Sequence, residues 1–139
     1  MKNSISLLLA CAVIIIVMPF CGKGGGGGTT DPCTSDPKVV ISTTPAAGST
    51  EAPAPGPTFP LRVTVSSTLP TSGVTIEVKA HPEGSTTNFF TETKSSTSKD
   101  TDFTITGTPS TVICVVEVTV TSKSCNTNKA TASYRYSKK

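Results

Sequence analysis

From Lys38 to the C-terminus, apolar and polar residues alternate with a period of two in short runs. Leu61-Arg62-Val63-Thr64-Val65 and Val74-Thr75-Ile76-Glu77-Val78-Lys79-Ala80 alternate cleanly. The strongest run spans Val112 to Thr121, with Val112, Cys114, Val116, Val118 and Val120 in one phase and Glu117, Thr119 and Thr121 in the other. Ala130 to Tyr136 repeats the pattern with its apolar residues at even positions. Such alternation sends successive side chains to opposite faces of a sheet, so each run predicts a strand with one core face and one wet face. Val39-Val40-Ile41 and Phe103-Thr104-Ile105 predict shorter strands, and Asn88-Phe89-Phe90-Thr91 a weaker one. No stretch after the first 21 residues carries the 3.6-residue apolar period of a helix.

The segments between these runs read as breaks. Pro45 to Pro57 holds four prolines (Pro45, Pro53, Pro55, Pro57), which fits a loop or irregular edge and not a central strand. His81-Pro82-Glu83-Gly84 and Ser122 to Lys129 read as turns. Asp100 and Asp102 are expected to cap a turn before Phe103.

The front of the chain differs in kind. Lys2 is followed by an apolar run, Leu7 to Val17, which Met18 extends and Pro19 ends; Cys21 and the glycines Gly24 to Gly28 come next. The run has the length of a signal-peptide apolar region and falls short of the about 20 residues that a spanning helix needs. Together these residues resemble a bacterial lipoprotein signal peptide. The resemblance implies that Cys21 becomes the acylated first residue of the mature chain. Membrane lipid is then a partner, and the protein is exported and lipid-anchored to a bacterial membrane, on its periplasmic side or at the cell surface. Gly22-Lys23-Gly24, with no acid before Asp31, leans by the same resemblance to the periplasmic side. The cleavage pattern departs from the family at Phe20, where a small residue is usual. Leu8-Leu9-Ala10-Cys11 matches better locally but leaves almost no apolar region before it, so position favours Cys21. Ordinary secretory cleavage and an uncleaved anchor are the alternatives, and each also exports the chain. The expected organisation is a leader at 1–20, the lipidated cysteine with a glycine-rich linker at 21–37, and a β-domain at 38–139. A flexible linker of that length spans roughly 20–24 Å end to end.

Net charge is +3 with both signs scattered, so no basic patch suggests nucleic acid as a partner. Trp is absent, and Thr and Ser are abundant, as strand surfaces and turns favour. About seven short antiparallel strands in roughly 100 residues predict an all-β, two-sheet sandwich. Residues 38–137 resemble the immunoglobulin-like and fibronectin type III-like domains of exported bacterial lipoproteins, by strand number and pattern. The buried Trp of antibody-type domains is missing, and Val112 stands two residues before Cys114 where such domains carry Tyr; the antibody subfamily is therefore disfavoured.

Beyond Cys21 come Cys33, Cys114 and Cys125, an odd number. Cys114 starts an extended strand and Cys125 lies in the turn past its far end. Eight strand residues separate those ends by roughly 26 Å, too far for a bridge. In a seven-strand sandwich of this type, the first strand begins at the end where the last two strands are joined. Cys33 and Cys125 would meet there, closing a loop worth about 4–5 kcal/mol on a chain-entropy model. The absence of any bridge is the competing expectation. Cys114 is expected to be a buried free thiol acting as a small hydrophobe.

Chemistry-bearing clusters are scarce, so no enzyme activity, cofactor or metal is expected. His81, the only histidine, falls in a predicted surface turn, and no Cys/His spacing suits a metal. The pairs Asp31/Asp36 and Asp100/Asp102 lack the 12-residue calcium-loop pattern, and the glycine run lacks the Lys-Ser/Thr of a phosphate loop. Of the adjacent Phe89 and Phe90, one should face outward from a strand and could contact sugar or protein, or simply cover a sheet edge. The expected function is a membrane-anchored, non-catalytic module that binds an unknown protein partner. A glycan-binding module and a spacer without ligand are the alternatives.

Overall fold

The computed structural model describes residues 32–139. Cys21, the leader, the glycine run and Asp31 lie outside the described residues. The chain folds as one helical turn, α1 (Pro32–Ser35), followed by seven strands: β1 (Ile41–Thr44), β2 (Phe59–Val65), β3 (Val74–Pro82), β4 (Phe90–Ser96), β5 (Asp100–Ile105), β6 (Ile113–Ser122) and β7 (Lys129–Ser137). A three-stranded sheet, ordered β1-β2-β5, faces a four-stranded sheet, ordered β4-β3-β6-β7, and every pairing is antiparallel. This is an immunoglobulin-like two-sheet sandwich. Among the described residues no helix is long and apolar enough to cross a membrane.

The alternating phases set the core. Leu61, Val63 and Val65 of β2 face Val74, Ile76, Val78 and Ala80 of β3 and Cys114, Val116, Val118 and Val120 of β6, all buried. Burial at about 25 cal/mol per Å² of apolar surface drives the two sheets together.

Several strand limits differ from the sequence pattern. The first strand is Ile41–Thr44, not Val39–Ile41. Val39 is buried ahead of it, and its N–H is taken by Asn128 Oδ1 at 2.9 Å instead of a ladder partner. Val112 is outside β6 and 38% exposed, because Thr111 adopts φ +62° and turns the chain just before the strand. Asp100 and Asp102 cap no turn. They lie within β5, on its outward phase, where Asp102 receives Nε and Nη2 of Arg62 at 2.7 and 2.9 Å and Asp100 accepts the Thr64 hydroxyl at 2.6 Å. His81 and Pro82 are the last residues of β3, and only Glu83 and Gly84 form the turn.

Of the weak Asn88–Thr91 run only Phe90 and Thr91 are extended; they open a longer strand, β4, which beyond Phe90 is polar in both phases. Cross-strand partners share a sheet face, so Glu92 and Lys94, opposite Val78 and Ile76, point inward. Lys94 reaches over the Phe103 ring at 4.4 Å and donates to the Asp102 carbonyl at 2.7 Å. An inward lysine on an edge strand covers the seam between the sheets and discourages another chain from adding there.

The proline-rich segment closes the opposite edge. Residues 48–54 run parallel to β7, through Gly48 N–H to Ser133, Glu51 N–H to Arg135, Ala54 N–H to Ser137 and Arg135 N–H back to Ser49. Pro53 and Pro55 offer no N–H on this outermost strip, where none is needed.

The strand directions give the sandwich two ends. One end carries the start of β1 and the β6–β7 loop; the other carries the β5–β6 loop and the C-terminus. Residues 33–37, grouped with the linker in the sequence reading, are docked on the first end. Cys33 and Cys125 are joined by a disulfide with Cα atoms 4.9 Å apart. Beside it, Asp36 accepts from the Ser124 hydroxyl at 2.9 Å and from Asn128 Nδ2 at 2.7 Å.

That Asp36 latch is pH-sensitive. The Ser122 hydroxyl foremost, then Asn128 and Ser124, hold the carboxyl below its ordinary value of 3.8 against the cost of desolvation. A carboxyl depressed on folding stabilises above its unfolded value and loses that contribution as pH falls through the folded one. The latch is therefore expected to stay intact at neutral pH and to release only below pH 3.8. The Asn128 side-chain amide resonances should follow this, titrating with a midpoint below that value in wild type and not at all in Asp36→Asn. A midpoint in the ordinary range would contradict the latch.

Candidate functional site

β1 ends at Thr44, where the chain leaves the sheet at Pro45 and crosses to run along β7. β2 has already run through Phe59, Pro60 and Leu61 before its pairing with β1 begins at Arg62. The mismatch opens a cleft of about 670 Å³ between β2, the crossing segment and β7, in the half of the sandwich away from the disulfide. This lies within the 300–1,000 Å³ usual for ligand sites.

Its floor is aromatic and aliphatic: Phe59, Leu61, Phe103, Tyr134 and Tyr136. The Phe59 and Tyr136 rings lie 4.6 Å apart at 57°, and Tyr134 and Tyr136 6.1 Å apart at 42°. Ala52 and Ala54 of the proline-rich strip form one wall, and Glu51 with the Arg62–Asp102 pair forms the rim.

The two tyrosines differ at their hydroxyls. Tyr136 Oη shares a 2.6 Å hydrogen bond with Thr108 Oγ1, both residues being buried. Tyr134 is 2% exposed, and its hydroxyl, itself sealed from solvent, has no hydrogen-bond partner among the described residues. Thr43 Oγ1 on β1 is a second hydroxyl without a partner among the described residues, but Thr43 does not line the cleft. Burial, with Tyr136 and Glu51 nearby, pushes the Tyr134 phenol up, so it stays protonated and able to donate. Burial likewise pushes Tyr136 up to about 12, with Thr108 opposing and Cys114 reinforcing the shift.

An orphaned hydroxyl costs about 1–3 kcal/mol of desolvation. Tyr134→Phe is therefore expected to raise stability by about 1–2 kcal/mol in chemical denaturation. Unchanged or reduced stability would mean that the hydroxyl is satisfied within the fold.

The residues singled out from sequence lie elsewhere. Cys114 is buried and free, with its Sγ 3.7 Å from the Val112 carbonyl, and burial pushes its thiol above the ordinary 9.0. Phe89 and Phe90 are half-buried and packed against the core, so neither presents an open ring. His81 Nδ1 lies 2.9 Å from the Pro82 carbonyl and Nε2 4.0 Å from Glu117, and no further acid or base among the described residues pairs with it. Among the described residues no group of three or more His, Cys, Asp or Glu could hold a metal ion.

The cleft itself escaped the sequence reading, although one signal for it was present. Tyr134 and Tyr136 are the only tyrosines, and both stand in the inward phase of the last strand. A buried tyrosine hydroxyl ordinarily finds a partner, so an inward pair marks a place where the core meets something polar. Compared with known families, curated proteins and solved structures, the chain matches none.

Proposed function

We propose that this chain is an exported, lipid-anchored protein of a bacterial envelope whose single immunoglobulin-like domain binds a ligand and performs no catalysis. The observation that carries the binding reading is the cleft of about 670 Å³ that the proline-rich strip, β2 and β7 leave open, with Pro45, Ala52 and Phe59 along it. The anchor reading rests on the leader-like segment ending at Cys21. The domain's geometry fits that reading: the disulfide attaches the N-terminal segment at one end, and the cleft opens in the other half. A ligand could then be met away from the membrane.

The placement of β4 beside β3 supports a fibronectin type III-like relationship, since antibody constant domains put the fourth strand on the sheet of the first. A glycan-binding role gains little support from Phe89 and Phe90, which pack inward.

Mass spectrometry of the intact mature protein tests the anchor. A mass beginning at Cys21 and carrying acyl chains is expected, and an unacylated amino terminus would overturn it. For the binding reading, Ala52→Trp should fill the cleft from its exposed wall and abolish capture of whatever partner wild type crosslinks in its own cell envelope. Equal crosslinking by both proteins would remove the cleft from the function.

A further inference from the structure

We infer that the open edge of β4 pairs with β4 of a second copy of this chain, antiparallel about a two-fold axis at Thr93, so that Glu92 of each copy faces Lys94 of the other. No residue of β4 lines the cleft, so this contact does not depend on what the cleft binds.

Strand phase leaves the β4 edge open. At the two ends of the β3–β6 ladder, Glu83 N–H donates to the Ile113 carbonyl and Lys123 N–H to the Gly73 carbonyl. Backbone groups of an antiparallel strand point alternately to its two sides, so odd-numbered residues of β3 serve β6 and even-numbered ones serve β4. The bond from Phe89 N–H to the Ala80 carbonyl agrees. Ile76 and Val78 thus exchange bonds with their partners Lys94 and Glu92. Thr91, Thr93 and Ser95 fall in the other phase and turn N–H and carbonyl outward, where β4 has no neighbour among the described residues. The other edges are closed or poorer. The proline-rich strip takes β7, and β1 has only four residues. The β5 edge carries Asp100 and Asp102, and Lys94 already holds the Asp102 carbonyl.

The sequence of β4 complements itself when reversed. Centred on Thr93, the full-length register sets Thr91 opposite Ser95, Thr93 opposite its own copy and Glu92 opposite Lys94. The first two are hydrogen-bonded positions and use the outward N–H and carbonyl groups. The charged pair falls at the closely spaced position between them, with Cα atoms about 4.5 Å apart. Opposite charges and paired hydroxyls at such positions each favour pairing. Within one copy Lys94 Nζ lies 3.2 Å from Glu92 Oε1, and both side chains stay partly exposed, so each can reach across the edge. An inward lysine deters an unrelated strand, yet it is met by a strand that carries an acid opposite it, as β4 does. The pairing joins the four-stranded sheets of the two copies into one continuous sheet and points their disulfide-bearing ends in opposite directions. Seven residues a side make a small contact, so the dimer is reversible and its population grows with concentration.

The test is sedimentation equilibrium of the full chain in dodecylmaltoside, over a concentration series reaching the millimolar range. Wild type is expected to pass from monomer to dimer. Thr93→Pro removes an N–H that the β3–β4 ladder does not use. It should keep the wild-type circular dichroism spectrum and weaken dimerisation about tenfold, as the loss of two symmetric hydrogen bonds implies. Glu92→Lys and Lys94→Glu each set like charges opposite one another, and each alone should weaken dimerisation about tenfold. An equimolar mixture of these two variants should dimerise as wild type does, which misfolded chains would not. Monomeric wild type throughout the series, an undiminished dimer in Thr93→Pro, or a mixture no more dimeric than its components would overturn the β4 assignment.

Discussion

Replacing Cys33 and Cys125 together with serine is expected to lower the domain's stability by about 2–5 kcal/mol, the usual cost of removing a native disulfide from a small domain. For a domain of this size that is a fall of roughly 10–30 °C in thermal midpoint. The bridge spans 92 positions of sequence and so restricts almost the whole unfolded domain. Its loss also weakens a local assembly. The Thr127 hydroxyl lies 3.1 Å from Cys125 Sγ and 3.6 Å from Cys33 Sγ, and the neighbouring Asn128 holds both Asp36 and the Val39 N–H. With the bridge intact, a pull on the chain ahead of Cys33 reaches the β6–β7 loop directly. With it broken, the same pull falls on the Asp36 latch and then on β1, only four residues long. Urea unfolding of wild type with and without reductant, beside the double variant, would check this. Reduced wild type and the variant should agree. Coincident curves for oxidised and reduced protein would show that the bridge adds nothing.

Truncating Tyr136 to alanine should be as damaging, at about 3–5 kcal/mol, in line with removal of a buried aromatic ring. The ring packs on Phe59 and Tyr134, forms part of the cleft floor, and carries the hydroxyl that satisfies Thr108. Tyr136→Phe separates these contributions. It keeps the ring but leaves Thr108 Oγ1, on a residue 5% exposed, without its partner, which should cost about 1–2 kcal/mol. The same change one turn of the pleat away, at Tyr134, is expected to stabilise. Opposite signs for one chemical substitution at two neighbouring tyrosines can be measured in a single set of denaturation curves. Equal signs would refute the assignment of one satisfied and one orphaned hydroxyl.

The core strands were legible because each buries one face. Val74 to Ala80 and Val116 to Val120 alternate without exception, and both lie in the interior of the larger sheet. Legibility failed at the margins. β4 hides because an edge strand buries little, so Glu92 and Lys94 occupy its inward phase without cost to the pattern. Val112 continues the apolar phase of β6 in sequence, yet the left-handed backbone at Thr111 keeps it out of the strand. Asp100 and Asp102 look like turn residues, but across β2 they find Thr64 and Arg62, contacts 36 and 40 residues distant in sequence.

Local pattern alone determined that this is a two-sheet β-sandwich, which strand faces meet in the core, and that Cys114 carries an inward phase. These follow from the side-chain period of an extended chain, a property of each segment by itself. The tertiary structure decided how the proline-rich strip closes the β7 edge, and so where β1 leaves β2 unpaired and the cleft opens. It also decided which of two adjacent tyrosines keeps a free hydroxyl. Those outcomes depend on where separate segments pack, and no periodicity within one segment encodes the gap left between two others.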